Sequence, residues 1–563
     1  MEENDIYKLI TTKQNELKSV FDRMDEDEKL YLLDKYEMYH LPPEDTKKMD
    51  DVANVTLNDP LVYGTKANAI LGAATRQTVV EGRDLSDKKT TKIEEFLDDM
   101  DYVIDEYLVK REIPGLDAFI NEQINIRGRI GARCCIRIEN GELIPDVLPL
   151  DTRHFTTDTA PSGMVWGAAD YQRSQAQIEA EYPNAKPGKN GGTITDFWNA
   201  PTNIVFLGDN AIENNPNRYG YPPFVYVMCP IGSMLNSENA AEHRGESIYW
   251  QNRDLWPEMN MLATILQTLT YNGLFEALQY ESSHGEAMPK PQKSPYKPRT
   301  VHGVEKGGGY RPMPINDIKS ATKLAYSILE TRVQRGSLAA IDYGTLTFPL
   351  SAIAITRLTG SRDDMMLPRV QAKALFLQAL SKMIINQCIA ARETIHIGKP
   401  GSENSYSSSD LKGDYTIKYR FYTESQEQMI ANLSVANASQ GFLSPDTIRR
   451  EVLRLQDPDG EKVKWESAQA ERVDEVLFLF RRAYSLVDKD KPTEQEMMES
   501  KILVERAKTI LKQRKAMGQL SQIEGQRTPK PETEGAGKEV IPLLSTGGGQ
   551  GRPPTPETEA ENE

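Results

Sequence analysis

The strongest constraint on how this chain can fold lies between Asp254 and Ile395. Residues 254–283, DLWPEMNMLATILQTLTYNGLFEALQYESS, place Leu255, Met259, Leu262, Leu266, Leu269 and Leu278 at helical spacing, with Ile265 and Phe275 widening the stripe. The spacing predicts one helix of about thirty residues, roughly 40 Å long. A basic excursion rich in Pro and Gly follows over residues 286–314. A second helix is expected over 317–338, a non-periodic apolar segment over 339–366, and a third helix over 367–395. Two rods with a crossing piece at one end and an apolar loop at the other are an unusual plan for a small-molecule enzyme.

The chain has 563 residues, enough for several domains, and a net charge of −16. That balance excludes a generally basic nucleic-acid binder. It does not exclude a passage for DNA, because each neutralised phosphate adds affinity and a sliding polyanion should not be gripped. Cys134, Cys135, Cys229 and Cys388 lack any framework spacing, so all four are expected to be reduced and structural, as in a reducing cytoplasm. The acidic, polar start MEENDIYKLITTKQ is not expected to act as a signal peptide, and no membrane span is expected.

Along the chain, residues 5–39 predict one or two amphipathic helices. A helix opened by Asn58-Asp59-Pro60 follows, with Ala67, Ile70, Leu71, Ala74 and Thr78 on a small-residue face. Residues 87–108 predict a helix with an acidic outer face, and 115–127 another. From Gly128 the period becomes two. Ile130, Cys134, Ile136 and Ile138 share a face, and Asn140-Gly141 signals a hairpin returning over 143–150. Further strands are expected over 164–171, 194–207 and 224–228. Residues 398–410 read as a loop and 413–422 as one strand. Helices are expected over 423–441, 446–455, 465–486 and 493–515, before a Gly-, Pro-, Thr- and Glu-rich tail that should be disordered. The fold class is therefore α+β.

No catalytic constellation emerges. The six histidines are scattered without ligand spacing, so neither a metal site nor a cofactor is expected. A phosphate-cradling loop of the ATPase kind and a Gly-x-Ser-x-Gly nucleophile elbow are both missing. Asp98, Asp99, Asp101 and Asp105 cluster on the acidic helix, and the plain reading is a solvated face. A nuclease or phosphoryl transferase would need these carboxylates to converge.

Two stretches carry more information. Residues 286–314 hold Lys290, Lys293, Lys297, Arg299, Lys306 and Arg311; six cations against two glutamates leave +4 in an acidic chain. This is either a solvated loop or a docking surface for an acidic partner or DNA phosphates. The run 344–358, GTLTFPLSAIAITRL, contains Thr345, Thr347 and Arg357. It is either a buried strand or core loop, or a loop projecting into a channel. On the second rod, Lys319 and Lys323 lie one turn apart, and Arg332 and Arg335 share a face as well. These either face water or touch phosphates transiently, without base readout.

The order of these parts resembles that of the portal proteins of tailed double-stranded DNA bacteriophages. NDPLVYGTKANAILGAATRQ is similar to the helix near the start of many portal wings. INIRGRIGARCCIRIENGELIPDVLPLDTRHF looks like the wing hairpin, and QRGSLAAIDYGTLTFPLSAIAITRL the segment after the second stem helix. The resemblance covers about nine tenths of the chain and is architectural, since portals share no catalytic signature. It implies an α/β wing over 1–251, a stem helix over 252–283 and a small α/β clip over 284–316. A second stem helix (317–338), a channel or tunnel loop (339–366), the rest of the wing (367–422), a helical crown (423–521) and a tail (522–563) would complete the fold. It also implies a non-enzymatic subunit of a homo-oligomeric ring, usually of twelve, made in the host cytoplasm and placed at the portal vertex of the virion. Expected partners are the major capsid protein, the terminase large subunit, head-completion or adaptor and tail proteins, and double-stranded DNA without sequence specificity. A structural scaffold or tail component without a DNA path is the alternative.

Overall fold

The computed structural model describes residues 2–40, 47–50, 52–83, 85–139, 142–235, 237–274, 278–281, 309–312, 318–336, 338, 352–422, 426–453, 455, 458–487 and 494–524. It divides into two compact units, residues 1–462 and 463–563. Among the described residues every paired strand is antiparallel, and helices are interspersed with the strands without parallel β-α-β pairing, which makes this an α+β protein.

The first unit opens with α1 (Glu3–Glu16), α2 (Lys18–Tyr31) and α3 (Asp59–Gly72), the last with Pro60 in its first turn as expected. The predicted continuation of α3 through Thr78 is instead β1 (Thr75–Glu81), which pairs with β14 (Thr416–Tyr422), more than 330 residues away. Next come α4 (Asp87–Val109) and α5 (Leu116–Glu122), the latter prolonged by a π-turn over Gln123–Arg127. Gly128 then takes a left-handed φ of 68°, ends the helix and starts β2. A side chain there would run into the carbonyl of Gly245.

β2 (Arg129–Glu139) pairs with β3 (Glu142–Leu150), the Glu139–Glu142 register matching the predicted two-residue turn, although Asn140 and Gly141 lie outside the described residues. β9 (Phe224–Met228) completes that sheet in the order β3-β2-β9. A second sheet runs in order through β4 (Phe155–Ala160), β5 (Gly163–Arg173), β6 (Gly192–Asn199), β7 (Thr202–Leu207) and β8 (Asn210–Pro216), with α6 (Gln175–Glu181) between β5 and β6.

A short helix α7 (Glu238–Glu242) leads to α8 (Leu255–Leu274). Here the expectation needs correction: the helix does not continue to Ser283. β10 (Leu278–Glu281) follows and pairs with β11 (Gly309–Pro312), and α9 (Ile318–Arg335) returns. A second correction concerns residues 339–366. From Ala352 this apolar run is helical and continuous with the third helix, forming α10 (Ala352–Ala391) with Pro368 inside it. Its Ile and Thr residues, and Pro368 at the predicted start, argue locally against helix. The helix is held farther along by packing: Ala372, Phe376, Leu380, Ile384 and Cys388 are buried in the main core with residues of α4, α5 and β2.

Residues 398–410, expected as loop, contain β13 (Ser402–Tyr406), paired with β12 (Ile395–Lys399), and then α11 (Ser408–Leu411). α12 (Gln426–Ser439) and α13 (Pro445–Thr447), extended by a π-turn to Val452, follow, and α14 (Pro458–Val473) carries the chain across the boundary. In the second unit the predicted helix 465–486 is interrupted at Asp474. α15 (Glu475–Val487) packs Val476 and Leu479 against Ala507 of α16 (Glu494–Glu524). The tail from residue 525 lies outside the described residues.

By length and composition Arg362–Ala391 could cross a membrane, contrary to the sequence expectation that no segment qualifies. In this fold it is a core helix that also anchors polar groups. Gln387 donates to the Cys134 carbonyl at 2.9 Å and accepts from the Ile136 N–H at 2.7 Å. Lys373 meets Asp117 at 2.7 Å and Asn121 at 2.9 Å.

Candidate functional site

The helix pair α8–α9 is built from one apolar seam. Trp256 and Met259 of α8 and Val333 of α9 are buried in one cluster with Tyr63, Ala67 and Tyr249, and Tyr326 and Leu329 pack against it. The end of α9 thus returns to the start of α8. Asn252 seals that junction by donating to the Val333 carbonyl at 3.0 Å. Gly336 is required there because a Cβ would strike the Asn252 amide.

Beneath the junction lies a buried ion network. Arg253 forks onto Asp27 at 2.7 and 2.9 Å and reaches Glu246 at 2.8 Å. Glu246 also meets Arg23 at 3.1 Å and His243 at 2.8 Å. Asp27 and Glu246 are buried carboxylates on the same guanidinium, yet their proton affinities move in opposite directions. Burial pushes Asp27 above its usual range against the pull of Arg253. For Glu246 burial is overcome by Arg23 and Arg253, which hold it below the carboxylate range.

A second anchor was invisible in the hydrophobic pattern. The extended residues Ala53, Val55 and Leu57 donate their N–H groups to Thr268 (3.0 Å), Thr264 (3.0 Å) and Asn260 (2.9 Å) of α8. Acceptors at positions i, i+4 and i+8 form a ladder of side chains along one helix face. The available signal was three polar residues at helical spacing inside an otherwise apolar segment.

The predicted site residues divide. Lys323 and Arg332 are exposed on α9. Nine residues, two and a half turns, separate them, so they lie on opposite flanks of the helix. Lys319 is one turn before Lys323, and Arg335 nearly one turn after Arg332, with their side chains outside the described residues. The four cations therefore form two groups and no single stripe. Between the flanks, opposite the seam, the outward face carries Leu324, 64% exposed, and Ile328, 52% exposed. α8 contributes only Glu258 as a charged residue, and its Tyr271 is 57% exposed.

Arg357 lies in α10 rather than on a loop, and Arg311 in β11; their side chains are outside the described residues. Thr345, Thr347, Lys290, Lys293, Lys297, Arg299 and Lys306 lie wholly outside them.

The acidic face of α4 is not a free solvated surface. Arg76 meets Asp101 at 2.5 Å and Asp98 at 3.1 Å. Asp99 accepts from Tyr406 at 2.7 Å, and Asp105 caps α5 through the Leu116 N–H at 2.8 Å. These carboxylates are committed to structural partners, Asp98 and Asp101 sharing Arg76, and the described residues hold no cluster of three His, Cys, Asp or Glu fit for a metal. All four cysteines are free and buried; burial pushes Cys135 up to about 12, which removes thiolate reactivity. A scan of family models finds no match to the chain, and a search of curated proteins finds none either.

Proposed function

We propose that this chain is the subunit of a phage portal. Copies form a ring at one capsid vertex, through which double-stranded DNA is packaged and later ejected. The ring contacts the major capsid protein, docks the terminase large subunit and afterwards binds head-completion, adaptor and tail proteins. The observation that carries this reading is the outward face of α9. Leu324 and Ile328 stand in water on a helix pair whose base is held by a buried ion network and a hydrogen-bonded ladder. A firmly anchored rod with uncovered apolar side chains is what neighbouring copies would cover.

The two cationic flanks sharpen the proposal. A ring leaves one flank of each rod for the bore and the other for the neighbour. Lys319 and Lys323 are assigned to the bore, where sparse cations touch phosphates transiently; Arg332 and Arg335 are assigned to the adjacent subunit. The net charge of −16 fits a passage that does not grip its cargo.

The test is a phage carrying Lys319→Glu and Lys323→Glu. Heads should assemble with normal portal content while DNA filling falls severalfold. Normal filling would contradict the bore assignment. In the Arg332→Glu, Arg335→Glu counterpart, ring assembly is expected to suffer first.

A further inference from the structure

Away from the helix pair, a cavity of about 610 Å³ opens between the two main sheets of the first unit. β2 contributes Arg133 and Arg137, β5 contributes Tyr171 and Arg173, and Arg111 enters from the turn after α4. That volume is in the range of small-molecule sites.

The hydrogen-bonding inventory of this cavity is lopsided. Asp146, almost fully buried, is shared by three guanidinium groups: Arg111 at 3.2 Å, Arg133 at 3.0 Å and Arg137 at 3.8 Å. Asp196, also buried, takes Arg133 at 2.7 Å and the Asn203 amide at 2.7 Å. The inner carboxylates are thus occupied, whereas buried donors remain: Nε of Arg133, Nε of Arg137 and the hydroxyl of Tyr171 have no protein acceptor. Glu181 and Glu213 line the same cavity, but both are exposed residues, and Glu181 stands 3.8 Å from Arg173. The lining carries Arg111, Arg133, Arg137 and Arg173 against Asp196, Glu181 and Glu213, and Arg137 also meets the exposed Glu139 at 3.3 Å, so cations exceed carboxylates by one while three buried donor atoms lack a protein acceptor. A buried donor without a partner costs on the order of 1–3 kcal/mol, so an acceptor-rich group entering here gains more than it would at an exposed arginine.

We propose that the cavity binds a small molecule bearing a tetrahedral oxyanion, a phosphate or phosphomonoester, held by Arg137, Arg173 and Tyr171. A phosphate group offers several oxygens in diverging directions, matching donors that come from two facing sheets. A flat carboxylate satisfies fewer of them. This site shares no residue with α8 or α9, so it stands or falls independently of the portal reading.

The probe is inorganic phosphate, titrated into the purified full-length chain by calorimetry at constant ionic strength, with succinate as the competing carboxylate. Saturable phosphate binding with a weaker response to succinate is expected. Arg137→Gln should weaken phosphate about tenfold or more, the factor for losing a hydrogen bond to a charged group. Tyr171→Phe should weaken it about threefold while not lowering the melting temperature, since it removes a buried, unpartnered hydroxyl whose cost is relieved. Lys18→Gln removes a surface charge and should leave phosphate binding intact. The proposal is overturned if the wild-type chain shows no saturable phosphate binding, if succinate binds more tightly, if folded Arg137→Gln and Tyr171→Phe proteins bind as the wild type does, or if Lys18→Gln weakens phosphate as much as they do.

Discussion

The main core and the helix pair solve the burial problem in different ways. Around α10 the inward-facing apolar side chains find cover within the chain, although Leu367 and Leu375 on its outer side are 51% and 55% exposed. Phe96, Phe376 and Tyr406 are fully buried, and even Lys373 is enclosed, its ammonium on Asp117 and over the Phe421 ring at 4.8 Å. In α8–α9 cover is complete only at the base. Toward the middle Leu324 and Ile328 point away from their own partner helix, and Tyr271 is exposed on α8. The main core buries its own centre; the rod, covered on one side only, keeps Leu324, Ile328 and Tyr271 open for another copy. The difference separates residues that hold the fold from residues left for assembly.

Substitutions can break or sharpen that contrast. The largest effect is expected at the base. Glu246→Ala leaves Arg23 and Arg253 buried beside a lost carboxylate and should cost about 3–5 kcal/mol in denaturant unfolding. A loss below about 1 kcal/mol would mean the network does not anchor the rod. Thr264→Val deletes one rung of the ladder and strands the Val55 N–H, for about 1–3 kcal/mol; hydrogen exchange at Val55 should accelerate in parallel.

A smaller, pH-dependent effect belongs to the body. Lys92 at 2.9 Å, then the Ser407 backbone and hydroxyl, hold Asp410 down to about 2 from its ordinary 3.8. A depressed carboxylate stabilises the fold above its unfolded value, and that contribution is lost as pH falls from about 3.8 through about 2. Asp410→Asn should therefore reduce stability at pH 7 by under about 1 kcal/mol, since the pair is partly solvated, and by nothing well below pH 2. The smallest effect on the single chain is expected on the rod: Leu324→Ser with Ile328→Ser should change its unfolding free energy by no more than about 0.5 kcal/mol. A large loss would place those side chains in a core and erase the contrast.

Much of the fold was legible where local signals agree. Asp59-Pro60 opened α3, and the shift to period two at Gly128 with Asn140-Gly141 marked the β2–β3 hairpin. What failed depended on distant partners. β1 looked like more helix because its mate β14 is far away in sequence. The start of α10 looked non-helical because β-branched residues and Pro368 oppose helix locally, while the buried part of the helix, from Ala372 on, packs in a core whose partners are far away in sequence. On the rod, the cations of α9 and their nine-residue spacing were visible, but which face lies between the two groups and opposite the core shows only when the buried seam is known. The Asn260–Thr264–Thr268 ladder needed residues 53–57 beside it.

The central claim is that the helix pair is finished by other copies of the same chain. Mass photometry of the purified protein, followed by negative-stain imaging, tests it most directly. The account predicts annular particles with a central hole wide enough for a DNA duplex, lost in the Leu324→Ser, Ile328→Ser variant although each chain stays folded. A wild-type chain that remains a stable monomer at high concentration, with no annular species, would contradict it.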